Sequence, residues 1–202
     1  MKRIIPCALC LALCAGCTET RVIDTTNQRE VSSMQHVMEL EYRDWTNTAE
    51  NMTKSMIESG ALNSQQKPVI AVANILNDTQ QRFDTDILIK KIRSTLLKSG
   101  KAQIATNFSG EDTTSNKVRD LRDNIEYAQN TIANKGTLVA PNMSLSGKML
   151  QRNMKLQSGW LSSNDTRVEY YLQLTLTDLK TGLSVWEDEQ PIIKEGDHAP
   201  TW

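Results

Sequence analysis

Val168-Glu169-Tyr170-Tyr171-Leu172-Gln173-Leu174-Thr175-Leu176-Thr177 alternates side chains with period two, as does Leu183-Ser184-Val185-Trp186-Glu187. Successive side chains of a strand point to opposite faces, so alternation is the mark of a strand with one face buried. Asp178-Leu179-Lys180-Thr181-Gly182 lies between the two runs and supplies a hairpin turn, with Gly182 at the position that tolerates positive φ. Two antiparallel strands therefore close the chain. A third precedes them at Thr137–Leu150, where Met143 to Met149 also alternates. Together they form a C-terminal antiparallel meander.

Upstream the period changes. Pro68-Val69-Ile70-Ala71-Val72-Ala73-Asn74-Ile75-Leu76 is nearly continuous in apolar residues and reads as a strand buried on both faces, followed by a turn at Asn77-Asp78-Thr79. Trp45, Ala49, Met52 and Met56 recur at helical spacing, so 45–59 is a helix that Gly60 ends. Leu88, Ile92 and Leu96 mark a second helix, opened by Asp84 or Thr85 and stopped at Ser99-Gly100. A short strand is expected at 101–106. Val118, Leu121, Ile125, Ala128 and Ile132 predict a third helix. The order α-β-α-β-α-β-β-β, with crossover helices joining the early strands, gives an α/β fold: one domain, a mixed sheet, and helices covering at least one face. Leu121, Ile125, Leu172, Leu174 and Leu176 are expected in its core.

The N-terminus carries a secretory signal. Lys2 and Arg3 precede an apolar run, Ile4 to Ala15, that is too short to span a bilayer. It ends in Cys14-Ala15-Gly16-Cys17, which resembles a lipobox, with Cys14 where Leu is usual. Small residues admit the chain to the signal peptidase, and the Cys17 thiol receives the lipid. All four cysteines lie within the first 17 residues, so cleavage before Cys17 leaves one and the folded part has no disulfide, thiol nucleophile or Cys-based metal site. Thr18 follows Cys17, which by resemblance to enterobacterial sorting directs the protein to the outer membrane. The expected division is a signal peptide at 1–16, lipidated Cys17 with a polar tether to residue 40, and a globular domain at 41–202. The 23 basic residues fall to 21 once Lys2 and Arg3 leave, against 24 acids, a net charge of −3. Basic residues are scattered, which speaks against nucleic acid as a partner.

Three strings imitate a penicillin-binding active site: Ser64-Gln65-Gln66-Lys67, Ser162-Ser163-Asn164 and Lys180-Thr181-Gly182. The first two patterns each arise about once by chance in a chain of this length. A catalytic serine needs a helix N-terminus with its lysine one turn on, whereas Pro68 follows Lys67 at once and opens a strand. Lys180-Thr181-Gly182 is already explained by the hairpin turn. His36 and His198 stand in no ligand spacing, and nucleotide, zinc-protease and hydrolase motifs are missing. No catalysis, cofactor, metal or small-molecule substrate is therefore expected. Residues 151–165 read as a polar loop offering Arg152, Lys155 and Trp160 as partner contacts; Trp160 alternatively folds back onto the sheet.

Several segments resemble the LpoB (YcfM) family, the outer-membrane lipoprotein activators of bifunctional penicillin-binding proteins. They are Tyr42-Arg43-Asp44-Trp45 with Met52, Lys54 and Met56, the strand at 69–76, Leu96 to Lys101, Ser144-Leu145-Ser146-Gly147, and the ending Leu172 to Leu176 with Thr181 to Trp186. The resemblance runs over about 42–195. It implies a domain like the N-terminal domain of TolB, without catalysis of its own. It also implies binding to a periplasmic docking domain of a bifunctional peptidoglycan synthase. Enterobacterial members have a long Pro-rich tether, whereas no proline occurs here from Thr18 to Lys67. Residues 18–40 reach at most about 80 Å when extended and roughly 25–30 Å as coil. Curli-type secretion lipoproteins, which share a similar core, are the alternative, but they need amphipathic membrane-inserting hairpins of a length not found here.

Overall fold

A computed structural model describes residues 37–108, 113–155 and 166–196, with short pieces at 23, 25–27 and 29–30. The chain divides into two units, 1–35 and 36–202; the second holds the fold. In chain order it contains α1 (Tyr42–Glu58), β1 (Val69–Asp78), α2 (Asp86–Ser99), β2 (Gln103–Ile104), α3 (Thr113–Asp120), β3 (Met143–Lys155), β4 (Thr166–Asp178) and β5 (Ser184–Gly196). The sheet order is β2-β1-β3-β4-β5. β1 is parallel to β2 and β3, and β3, β4 and β5 are antiparallel. The fold is thus α/β with a mixed sheet, a C-terminal meander and covering helices.

Helix chemistry sets the ends of both long helices. The Glu41 N–H donates to the Asp44 carboxylate at 2.8 Å, fixing the entry to α1. Asp84 accepts from the Asp86 N–H at 2.9 Å ahead of α2. Gly100 closes α2 in the left-handed region (φ 66). The core lies between these helices and one face of the sheet. Trp45, Ala49, Met52 and Met56 of α1 and Leu88, Ile89, Ile92 and Leu96 of α2 meet Ile70, Val72, Ile75, Leu145, Met149 and Val168, Tyr170, Leu172, Leu174 and Leu176. Gly147 on β3 makes room for this packing: a Cβ there would stand 2.5 Å from Leu174 Cδ2 and 2.7 Å from the Gln173 carbonyl oxygen.

Packing begins before α1. Leu40 is buried, and Met38 packs against the core. Gln81 clamps the Leu40 backbone, accepting from its N–H at 2.8 Å and donating to its carbonyl at 3.2 Å. The Lys194 ammonium of β5 donates to the carbonyls of Val37 (2.9 Å) and Glu39 (2.6 Å) and pairs with Asp44 at 2.6 Å.

Four expectations are corrected. β1 is buried on one face only: Ile70, Val72 and Ile75 point into the core, while Ala73, Asn74 and Leu76 are exposed around a bulge between Val72 and Ile75. The third strand starts at Met143, because residues 137–142 pair through only one residue: Asn142 takes the Val69 N–H on its side chain at 2.8 Å. Residues 151–155 belong to β3 and pair with β4, so the expected loop starts later. Most consequentially, the third helix breaks after Asp120. A 3₁₀ turn covers Leu121–Asp123 and another Gln129–Thr131. Of its expected face only Ile132 is buried; Leu121 is half-buried and Ile125 is 97% exposed. The helix-bearing face of the sheet is already filled by α1 and α2. Asn124 and Gln129 meanwhile give the backbone side-chain partners that compete with a helix.

Candidate partner-binding site

The helices cover one face of the meander and leave the alternate residues of β3, β4 and β5 on the other. On β4 these are Arg167, Glu169, Tyr171, Gln173 and Thr175. Register places Met154, Arg152, Leu150, Lys148 and Ser146 of β3 beside them on one side and Glu195, Ile193, Pro191, Glu189 and Glu187 of β5 on the other. Cross-strand polar pairs hold this surface flat and ordered. Arg167 Nε donates to Glu195 at 2.6 Å, Gln173 donates to Glu189 at 2.7 Å, and Lys148 pairs with Asp78 at 2.7 Å.

Arg152 and Lys155 are exposed at the end of β3. Arg152 lies opposite Glu169, which is buried even though it is on the outer row. Glu169 accepts a 2.5 Å hydrogen bond from the Tyr171 hydroxyl. That bond is the main reason the Tyr171 phenol is held above its usual pKa, with burial and the Glu169 charge adding and Arg152 opposing. Exposed Ile193 stands opposite Glu169 on β5. The surface therefore mixes an aromatic ring, an exposed aliphatic side chain and fixed charges, the composition of a protein-binding patch. Strand alternation alone pointed to Tyr171 and Glu169, but it does not separate an outer row that binds from one that is merely wet.

The imitation of a penicillin-binding site does not assemble. Ser64 lies in the connection between α1 and β1, its hydroxyl bonded to the Gln66 carbonyl, and Lys67 lies on no helix. Lys180-Thr181-Gly182 forms the β4–β5 turn. Asp178 accepts from the N–H groups of Lys180 (2.8 Å) and Thr181 (2.9 Å), and Gly182 has φ 73. These bonds, that from Thr181 first, hold the Asp178 carboxyl below its usual pKa. Among the described residues no three metal-ligating side chains converge, and no helix is long and apolar enough to cross a membrane. A shallow groove of about 720 Å³ beside α1 and α2 is lined by Tyr42, Thr46, Ile87, Lys90, Lys91 and Ser94. Cys17, His36, Trp160, Ser162 to Asn164 and His198 lie outside the described residues.

No curated protein is matched. Among solved structures, the LpoB C-terminal domain from Salmonella enterica is 16% identical with a TM-score of 0.44, over 74% of this chain and 98% of that one. The corresponding domain from Escherichia coli is 13% identical with a TM-score of 0.41 and the same coverage. The lipoprotein GNA1162 from Neisseria meningitidis is 12% identical with a TM-score of 0.35, over 66% of this chain and 88% of that one. The model of the family described as peptidoglycan-synthase activator LpoB matches residues 44–192, from the first turn of α1 almost to the end of β5. That span exceeds half of the chain, and the protein belongs to this family.

Proposed function

We propose that this protein is an outer-membrane lipoprotein, lipidated at Cys17, that binds a periplasmic docking domain of a bifunctional penicillin-binding protein and stimulates its synthesis of peptidoglycan. The observation that carries this reading is the family match over 44–192. The lipobox ending in Cys17 and the polar segment after it support the anchor and the position. An activator without chemistry of its own works only through differential affinity: it must bind the active conformation of the synthase more tightly than the resting one. The outer face of the meander fits such a role, because its pairs pre-order it and little side-chain entropy is lost on contact. Arg152 and Lys155 are its exposed cations at one end, and Trp160 is the anchor expected beyond them.

Two experiments test this. Cys17→Ser is expected to give an unprocessed or soluble product; normal membrane fractionation with unchanged acyl labelling would remove the anchor from the account. The purified lipoprotein should bind one class A synthase of the source organism, more weakly as Arg152→Glu/Lys155→Glu. Binding that ignores the double reversal would clear the end of β3 from the interface.

A further inference from the structure

The broken helix builds something else. Between α3 and the buried Ile132, residues 121–131 form a loop braced by its own side chains. Gln129 Nε2 donates to the carbonyls of Asn124 (2.7 Å), Tyr127 (3.2 Å) and Leu121 (3.3 Å), so one amide ties three points of the loop together. Asn124 accepts from the Glu126 N–H at 3.0 Å, and Thr131 donates to the Ala128 carbonyl at 2.7 Å. Across the neck, Arg122 donates from Nε to the Ala133 carbonyl at 2.8 Å and from Nη2 to the Asn134 carbonyl at 3.2 Å. Within this frame Ile125 is 97% exposed and Tyr127 49%. An isolated exposed aliphatic side chain is ordinary. One held almost wholly in water at the tip of a cross-braced loop, with an aromatic ring two residues on, is a preformed anchor.

The charges around it point to the kind of surface it meets. From Asp120 to Thr131 there are three acids, Asp120, Asp123 and Glu126, and one base, Arg122, which is turned to the loop's own carbonyls. The three carboxylates are exposed. The tip is therefore an apolar knob with an acidic collar. Its complement is an apolar pocket with a cationic rim. Because α3 and residues 138–139 line one cavity with Val69 and Gln103, the knob stands by the β2 edge and the start of β3, away from Arg152 and Lys155 at its end.

We propose that Ile125 and Tyr127 form a second contact with the synthase, inserted into an apolar pocket rimmed by Lys or Arg on its periplasmic part. This rests on the proposed function, and it adds the anchor, the chemistry of the pocket and a role for Arg122 and Gln129 as positioning residues.

The test measures binding of the full-length lipoprotein in detergent to each purified class A synthase of the source organism, with urea unfolding alongside. Ile125→Asp is expected to weaken binding at least tenfold with an unchanged urea midpoint. Asp123→Lys/Glu126→Lys is expected to weaken it and to flatten its salt dependence. Arg122→Ala is expected to weaken it less, with faster hydrogen exchange in 121–134. If the wild type binds a synthase and Ile125→Asp binds it equally well, the knob is overturned while the activator reading stands. If the wild type binds none of them, the activator reading falls, and the assignment of this occupant falls with it.

Discussion

Leu172, Leu174 and Leu176 on β4 and Val118, Leu121, Ile125 and Ile132 upstream are spaced with equal regularity, yet they fare differently. The β4 leucines are all 1% exposed or less, whereas Val118 is 43% and Ile125 97% exposed. Period alone does not bury a side chain; an unfilled surface must await it. β4 lies in the interior of the sheet between β3 and β5, and its inner row faces α1 and α2. The segment after α3 leaves the β2 edge, where the one helix-bearing face is already taken. Its Asn and Gln residues then find backbone partners outside a helix.

Substitutions make the contrast measurable. Leu174→Ala should cost about 2–5 kcal/mol in urea unfolding, as a buried leucine in a closed core does. Ile125→Ala should stay within about 0.5 kcal/mol of wild type. Equal costs at the two sites would break the comparison. Lys194→Met removes charged hydrogen bonds to two carbonyls and Asp44, and should cost about 1.5–3 kcal/mol, with faster proteolysis at 37–41. Unchanged cleavage there would mean that the first residues of the domain are held by Leu40 and Gln81 alone. Gly147→Ala forces a methyl against Leu174 and the Gln173 carbonyl and should cost about 1–3 kcal/mol; a neutral result would place slack under β4.

The smallest effect concerns the hairpin. The folded Asp178 carboxyl is held below its ordinary pKa, so its support for the turn is fully present above about pH 4 and is lost as pH falls through the depressed folded value. In Asp178→Asn that acid-sensitive component should disappear. If the wild type and the variant lose stability in parallel between neutral and acidic urea titrations, the turn bonds do not act this way.

What the sequence made legible follows the same division. The meander, α1 and α2 were readable because each has a strong period and a clear stop, such as Gly100, Gly182 or the Asp178 turn. The one-sided burial of β1 was not, since a near-continuous apolar run looks the same whether its second face is covered or bare; Leu76 shows that it is bare. Arg152 and Lys155 were placed correctly as exposed, but on a loop, because Gln151 to Lys155 has little apolar alternation and its strand is imposed by pairing with β4. The buried Glu169 with its Tyr171 partner was hidden for a related reason: cross-strand register, which no local pattern encodes, decides which outer residues meet. Likewise the knob was misread as helix because Gln129 ties its loop through contacts at separations of two to eight residues.

The central claim is that the folded domain activates a peptidoglycan synthase by binding it. It is tested most directly by adding soluble protein spanning residues 36–202, which keeps Met38 and Leu40 in the core, to each class A synthase of the source organism and following glycan polymerisation. The account predicts faster polymerisation by one of them, saturating with added protein and requiring no lipid, since the anchor serves only to position the domain. Unchanged rates with every such synthase, and no binding to any, would contradict it.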